Sequence, residues 1–385
     1  MKYAIARMKQ AAQSPMEYAA DWKARTGRQV IGLLPMHFPG ELAHAAGCLP
    51  VVLQDDSEPI TVGQSNVFNF YCGFNRSIID QTMRGRFDGL DAILFGDHCV
   101  QLLGTADVIR AERPNLPILF NQLCTTLDAN WAHRETIGTF RQLWKELEGL
   151  TGHEITEQAA RISIRLFNRN RGQMRMLYDL RRKGEVSISG RDMQAVVKSS
   201  MVMDREEHVQ LMDKILAEIP RESPAGSDVP VYLSGHMCHA PKPEIIDMIE
   251  DCGARIVNDD LFVGWRFIHA DMDEKVTPLE AMANWYLEKN RRLPCPTRTM
   301  QGVDWEDYLL AEVERSEAEG LVILLVKFCE PHMYFYPEIK EAFEGRGIPH
   351  LLIETEHEEM PIEALKTRVE TFVEIAKRRG TSKAA

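Results

Sequence analysis

Three cysteines stand at points where the sequence pattern changes and where a thiol could do chemistry. Cys99 and Cys329 each follow a short apolar run, at residues 91–95 and 321–326. Cys72 precedes a stretch with helical character. We therefore expect all three thiols near helix N-termini, where free N–H groups and the helix dipole favour thiolates and anionic sulfide. This placement predicts a metal-cluster site.

The same three cysteines have two simpler interpretations. A free cysteine considered alone is most often a small buried apolar residue. The matched placement of Cys99 and Cys329 favours a shared site instead. Zinc is a second possible metal, because further candidate ligands lie near the same loops: His98, His332, Cys238 and His239.

A few other side chains are candidates for roles at the same site. His37 lies in the loop after the first predicted strand, and it is either a structural histidine or a proton donor. Glu330 and His332 flank Cys329 and could cap the following helix or support the metal ligands. Cys238 is the best candidate for a further site cysteine. The other four cysteines are predicted to lie in the core, to be isolated or to serve backbone rigidity: Cys48, Cys252, Cys124 and Cys295.

The elements that must position these residues form two similar halves. Each half has a strand, a proline-bearing loop, a short helix that ends at Gly47 or Gly253, and then three more strands. The strand-like segments are residues 29–34, 50–53, 91–95, 117–120, 231–234, 254–257, 321–326 and 349–353. Strands that alternate with helices predict an α/β fold with two Rossmann-like domains, each with a mainly parallel sheet. Ligands would bind beyond the carboxyl ends of the strands.

The predicted domain division follows the same pattern. We expect an N-terminal α/β domain at residues 1–150, a helical connecting segment and linker at 151–228, and a C-terminal α/β domain at 229–385. Residues 223–228 have the composition of a linker. The middle segment carries arginines at helical spacing, which we predict to form a solvated helix face: Arg161, Arg165, Arg169, Arg171 and Arg175.

Missing motifs and overall charge limit the possible functions. The chain has no P-loop motif, no strand-linked GxGxxG, no CxxC pair and no GxSxG. Its formal charge of −12 argues against nucleic acid or an anionic membrane as the main partner. The sequence also shows no apolar run long enough to span a bilayer. We therefore expect a cytoplasmic protein with long-range cysteine chemistry.

Several stretches resemble the 2-hydroxyacyl-CoA dehydratase and benzoyl-CoA reductase family. The resemblance covers almost the whole chain, and its most specific part is Lys-Phe-Cys-Glu-Pro at 327–331, followed by Tyr-Pro and Gly-Ile-Pro. The other matching stretches are residues 70–77, 95–99, 258–267 and 293–296. Within them, Arg76 and Arg266 are expected to form structural ion pairs.

The resemblance implies both a cofactor and partners. Cys72, Cys99 and Cys329 match the three cysteine ligands of a [4Fe–4S] cluster between two α/β domains. Members of this family pair with a homologous second subunit and receive electrons from a separate ATP-hydrolysing iron–sulfur protein. Their substrates are aromatic or 2-hydroxy acyl-CoA thioesters.

The same resemblance leaves the reaction open between two chemistries. Residues 70–77 and 259–267 look more like a smaller, cluster-bearing subunit of benzoyl-CoA reductase, which dearomatises its substrate reductively. The alternative is a subunit of a 2-hydroxyacyl-CoA dehydratase, which acts through a ketyl radical. A non-catalytic cluster-binding partner or scaffold subunit is the third possibility.

Overall fold

The computed structural model describes residues 1–34, 36–221, 228–357 and 360–384. The first half contains four strands, β1 to β4: Val30–Leu33, Leu49–Val52, Ala92–Gly96 and Ile118–Asn121. Two helices precede them and four more separate or follow them, α1 to α6: Lys2–Gln13, Pro15–Thr26, Gly40–Ala45, Gly73–Met83, Val100–Glu112 and Ala132–Thr151. A short 3₁₀ turn covers Val62–Ser65.

Nine helices and a second set of four strands complete the described chain. The connecting helices are α7 to α9: Glu157–Arg182, Gly190–Ser200 and Arg205–Glu218. The strands are β5 to β8: Val229–Gly235, Ala254–Asp259, Gly320–Val326 and His350–Thr355. The helices around them are α10 to α15: Pro243–Asp251, Trp265–Ile268, Pro278–Arg292, Trp305–Arg315, Glu330–Gly345 and Ile362–Ala384.

The two sheets have the same topology. Their strand orders are β2-β1-β3-β4 and β6-β5-β7-β8, and every pairing is parallel. The chain moves to one side of the first strand and then crosses to the other, so β1 and β3 border one switch point and β5 and β7 border its counterpart. The predicted α/β fold with two similar domains is confirmed.

Local sequence explains why each half begins alike. The helix after the first strand stops before a glycine in both halves, and Gly47 and Gly253 adopt φ values of 83° and 88°. A residue with a Cβ is strained in this left-handed region, so glycine ends the helix cleanly and returns the chain to the sheet.

Alternation along the second sheet divides its side chains between two hydrophobic layers. Tyr232 and Ile323 face the larger core, which also includes apolar residues of the first half and of the connecting helices. Leu233 and Val322 point to the opposite face, where they pack in a smaller cluster with residues of α10 and α15. Parallel sheets need such cover on both faces, because their strands expose apolar side chains in both directions.

The arginines of α7 do not form the uniformly solvated face that the sequence predicts. Arg171 is buried, and its Nη1 lies 2.6 Å from Oε1 of Glu41 on α3. The other end of its guanidinium contacts Asp271 at 3.3 Å. The prediction is wrong at this position because α7 is covered by other elements on the side that carries Arg171. Arg161 and Arg169 are more exposed and pair with nearby carboxylates.

The N-terminal helices pack on the connecting helices rather than on the first sheet alone. Tyr18 donates to Glu207 at 2.6 Å, and the indole of Trp22 donates to Asp204 at 2.9 Å. Residues 223–227 of the predicted linker lie outside the described ranges. Within those ranges, no helix is both long enough and apolar enough to cross a lipid bilayer.

Candidate metal centre

Each of the three predicted cysteine ligands begins a helix. Cys72 is the N-cap residue of α4, Cys99 of α5 and Cys329 of α14. Cys99 and Cys329 follow β3 and β7, the third strand of each half, so their positions are equivalent in the repeat. Cys72 is buried, and the other two are partly buried. At such positions the helix dipole stabilises a negatively charged sulfur.

One glutamine joins the cysteine loops of the two halves. The amide N–H of Cys72 donates to Oε1 of Gln101 at 2.8 Å, and Nε2 of Gln101 donates to the carbonyl of Phe328 at 2.9 Å. Phe328 immediately precedes Cys329. A single side chain on α5 therefore fixes the Cys72 loop against the Cys329 loop.

The Cys72 thiol has a further polar contact of its own. Nδ2 of Asn75 donates to Sγ of Cys72 at 3.1 Å. The hydroxyl of Thr105 donates to Oδ1 of Asn75 at 2.8 Å and so orients the amide. An amide N–H directed at sulfur stabilises a thiolate and a bound metal cluster.

The three thiols also influence one another electrostatically. Burial and then the neighbouring Cys72 raise the pKa of Cys99 to about 12. Burial also raises the pKa of Cys329, with Cys72 and Cys99 as additional causes. These thiols are therefore protonated at neutral pH unless a cation compensates their charge. Metal ions do this, because a coordinating thiol is deprotonated outright.

The spacing of these thiols argues against a single tetrahedral ion. The three sulfur atoms do not form a group within 4.8 Å of one another among the described residues. A single tetrahedral zinc with Zn–S bonds of about 2.3 Å would hold its thiolates closer than that. In a [4Fe–4S] cluster each thiolate binds a different iron, so three cysteines at three helix N-termini are the type of donor set that a cluster uses.

The strand-end loops around the cysteines hold unusual backbone conformations. Met36 and His37 have φ values of 73°, His236 of 42° and Phe328 of 65°. These residues follow β1, β5 and β7, at the switch points of the two sheets. Non-glycine residues in this region cost about 1–3 kcal/mol each and concentrate at functional sites.

Cys238 lies beside the three cysteines, as its strand-end position predicts. Its pKa is raised well above the usual range by burial and then by Cys99, Cys329 and Cys72. The loop that carries it is fixed by a contact of 2.9 Å between Nε2 of His236 and Oγ1 of Thr355.

Of the side chains predicted as further zinc ligands, two histidines pack against other aromatic rings. His332 is buried against Trp305, with ring centroids 4.9 Å apart, and His239 packs against His236 at 4.4 Å. Among the described residues, the tight group of potential ligands is His37, His98 and Cys295. Cys295 is the residue of this group that sequence reasoning assigned to backbone rigidity.

His37, the predicted proton donor, is buried in a cationic environment. Its pKa is lowered well below the usual range by burial and then by Arg298 and Lys289. The imidazole is therefore neutral at pH 7. Its ring lies 5.2 Å from the ring of His98 and meets the ring of Tyr286 edge-on at 5.5 Å.

A cleft lies next to His37, between the first half, α7 and the second half. It holds about 570 Å³ of empty space, part of it open to solvent. Aromatic rings form much of its wall: Phe38, Phe167, Phe262, Phe267 and Trp285. Its cations are Arg171, Arg205 and Lys289. The guanidinium of Arg205 stacks on Phe167 at 4.1 Å, and burial lowers the pKa of Lys289 to about 7.

The two arginines near the site form ion pairs, as the sequence predicts. Arg76 contacts Glu356 at 2.8 Å, which joins α4 to the segment after β8. Arg266 and Asp260 form a pair at 3.2 Å with both side chains buried. Asp260 also accepts from the indole of Trp305 and from the N–H of Gly235.

Comparisons with known proteins agree with this architecture. The family model for the 2-hydroxyglutaryl-CoA dehydratase D-component matches residues 35–376. The chain is 27% identical to the beta subunit of lactoyl-CoA dehydratase from Anaerotignum propionicum, over 96% of this chain and 98% of the relative. It is 25% identical to the C subunit of benzoyl-CoA reductase from Thauera aromatica, over 93% and 94%. The beta subunit of (R)-2-hydroxyglutaryl-CoA dehydratase from Acidaminococcus fermentans is 24% identical, over 96% and 98%.

Proposed function

The chain belongs to the 2-hydroxyglutaryl-CoA dehydratase D-component family, and from this premise we propose that it is the cluster-bearing subunit of a heteromeric acyl-CoA enzyme. The observation that carries the proposal is the joining of the three cysteine loops from both halves, with Gln101 between Cys72 and Phe328. Relatives named as beta or C subunits support a partner subunit.

The proposed cofactor is a [4Fe–4S] cluster held by Cys72, Cys99 and Cys329. Such a cluster supplies single electrons at low potential when it is bound. The chain places each thiol at a helix N-terminus and directs the amide of Asn75 at Cys72. The Cys72 thiol is buried and the other two are partly buried, which limits the access of water to the sulfur atoms.

The cleft beside His37 is the proposed place for the acyl group of the substrate. Its aromatic wall suits an apolar acyl chain or ring, and Lys289 and Arg205 supply positive charge for the polar part of a thioester. His37 lines this cleft, and its role as a proton donor remains a prediction. Because its pKa is lowered, it would act through a neutral ring N–H rather than as an imidazolium.

The proposed reaction is the reductive dearomatisation of an aromatic acyl-CoA, in line with the resemblance of residues 70–77 and 259–267. Dehydration of a 2-hydroxyacyl-CoA is the second candidate. It is favoured by the lactoyl-CoA and 2-hydroxyglutaryl-CoA dehydratase subunits, which match this chain as well as the reductase subunit does. Electrons would come from a separate ATP-hydrolysing iron–sulfur protein, as the family resemblance implies. The absence of a P-loop motif from the sequence is consistent with this.

Product identity tests this proposal. The chain is co-purified anaerobically with its homologous second subunit and supplied with the ATP-dependent electron donor and either benzoyl-CoA or a 2-hydroxyacyl-CoA. A cyclic dienoyl-CoA identifies a reductase, and an enoyl-CoA identifies a dehydratase. Turnover by this chain without a second subunit would contradict the heteromeric assignment.

A further inference from the structure

Three buried side chains from three different loops converge beside the cysteine centre. His37 follows β1, His98 follows β3, and Cys295 lies between α12 and α13. Their potential ligand atoms all lie within 4.8 Å of one another. Nε2 of His37 is 3.8 Å from Sγ of Cys295. Tetrahedral zinc would separate a nitrogen and a sulfur ligand by roughly 3.6 Å, given bonds of about 2.0–2.1 and 2.3 Å.

The imidazole of His37 makes few favourable polar contacts with the protein around it. The residue is only 3% exposed, and its Nδ1 has no hydrogen-bond partner within the described structure. Its other nitrogen, Nε2, contacts the Cys295 thiol, which is a weak hydrogen-bond donor and a weak acceptor. A buried unsatisfied polar group costs about 1–3 kcal/mol, and the backbone of His37 is strained as well. Nε2 is therefore available to a cation, which would replace its weak contact with the thiol.

A threonine hydroxyl supports the other two side chains. Oγ1 of Thr297 lies 3.2 Å from Sγ of Cys295 and 3.1 Å from Nδ1 of His98. Outer-shell groups of this kind orient the ligands of metal sites.

Arg298 joins the loop of Cys295 to the loop of His98 and to Tyr286 beside His37. Its Nη2 donates to the carbonyl of Asp97, which precedes His98, and its Nη1 donates to the carbonyl of Thr297, near Cys295. Its Nε donates to the hydroxyl of Tyr286, whose ring packs edge-on against His37. The convergence is therefore built into the fold.

The charge around the group and the type of its donor atoms indicate which metal ion it could bind. Positive groups lie nearby, but Arg266 is paired with Asp260 and Arg298 directs its donors at oxygen atoms. Lys289 packs on the ring of Trp285 with its Nζ 4.1 Å from the centroid. A Cys295 thiolate would offset part of the charge of a dication. Two imidazoles and one thiolate are ligands that suit zinc, and the group contains no carboxylate that would suit magnesium or calcium.

We propose that His37, His98 and Cys295 bind one zinc ion at a site separate from Cys72, Cys99 and Cys329. The fourth coordination position is left for water or another small ligand, as in zinc sites with three protein ligands. His37 then acts as a metal ligand instead of a proton donor. This assignment does not depend on the proposed iron–sulfur cluster or on the acyl-CoA reaction.

Metal analysis of the full-length chain tests the site. Protein from zinc-supplemented cells, purified anaerobically, is expected to hold about one zinc per chain, with X-ray absorption showing one sulfur and two imidazole nitrogens around it. Cys295→Ser should lower the zinc content at least tenfold. Iron and acid-labile sulfide should not change in this variant. Cys124→Ser is the matched control, because Cys124 also lies near Tyr286 but outside the group.

A second variant keeps the test decisive if Cys295→Ser does not fold. Thr297→Ala retains all three ligands and is expected to weaken zinc binding by about 10–100-fold in competition with a chelator. Wild-type chain without zinc would overturn the proposal. So would zinc retained at full level in Cys295→Ser, unchanged affinity in Thr297→Ala, or a zinc environment of three sulfur ligands.

Discussion

The two halves of the chain share one strand order but differ at the ends of matching strands. After the third strand both halves carry a cysteine that begins a helix, Cys99 in one and Cys329 in the other. After the first strand one half carries His37 and the other His236 and Cys238. The comparison shows that a repeated scaffold can place two thiols at equivalent positions while its other loops give the two sides of the site different residues.

Two carboxylates lie at or just after the end of the second strand in each half, but their partners differ. In the first half the chain continues from β2 through Leu53 and Gln54 to Asp55 and Asp56, and Oδ2 of Asp55 lies 3.9 Å from Nδ1 of His357. In the second half β6 ends at Asp259 and leads into Asp260, and both carboxyl groups are buried. Burying a carboxylate requires partners: Arg266 and Trp305 contact Asp260, and Tyr178 donates to Asp259.

The largest expected effect is on acid-labile sulfide content, which should distinguish one pair of equivalent cysteines from another. Cys99→Ser and Cys329→Ser should each reduce acid-labile sulfide to near background, because each removes one proposed cluster ligand. Cys48→Ser and Cys252→Ser are the matched controls, since each residue lies between the helix that follows the first strand of its half and the second strand. Their sulfide content should stay at the wild-type level. Loss of sulfide in only one of Cys99→Ser and Cys329→Ser would break the proposed equivalence.

The buried ion pair of the second half is expected to give the next largest effect. Asp260→Asn leaves the Arg266 guanidinium buried without its carboxylate, which should lower the free energy of unfolding by about 3–5 kcal/mol. Asp107→Asn, which removes an exposed partner of Arg110, should change it by less than about 1 kcal/mol. Urea unfolding measures both. Equal effects of the two variants would show that the pair adds nothing specific to the second half.

Asp259 should give the second half a pH response in the weakly acidic range. Burial raises its pKa to about 6, whereas an unfolded aspartate titrates near 3.9. The folded chain therefore binds this proton more tightly than the unfolded chain does. The resulting contribution to the free energy of unfolding is full below about pH 4 and is lost as the pH rises through about 6. The difference in unfolding free energy between wild type and Asp259→Asn should fall by about 1.4 kcal/mol per pH unit in that window. A difference that is constant between pH 4.5 and 7 would contradict this.

The smallest expected effect concerns the side chain that joins the halves. Gln101→Met removes both hydrogen bonds and leaves the Cys72 N–H and the Phe328 carbonyl without that partner. We expect a loss of about 1–3 kcal/mol in the free energy of unfolding and faster release of iron to a chelator. Gln142→Met is the control, because Gln142 is exposed and its hydrogen bond is to Glu146 on its own helix. Unchanged iron release would show that the joining contact does not support the centre.

Much of the fold could be predicted from the sequence because its signals are local. Short apolar runs marked all eight strands to within about two residues, and Gly47 and Gly253 marked the same helix stop twice. The position of Cys99 and Cys329 at the ends of buried runs placed them at helix N-termini. These features depend on periodicity and backbone preference, which neighbouring residues determine.

The parts that escaped prediction depend on residues far apart in the chain. Arg171 resembles its solvated neighbours until Glu41, on another helix, is brought against it. The contact of the Cys295 sulfur with His37 joins residues from opposite halves. Gln101 gave no signal at all, since a glutamine on a helix is ordinarily a surface residue. Its importance follows only from the two loops that it contacts.

Iron and sulfide content is the most direct test of the central claim that both halves hold one cluster. The anaerobically purified chain is predicted to contain about four iron and four acid-labile sulfide ions. The Cys99→Ala, Cys329→Ala double variant is predicted to contain neither. A wild-type chain without acid-labile sulfide, or a double variant that retains its iron and sulfide, would contradict the assignment of Cys72, Cys99 and Cys329.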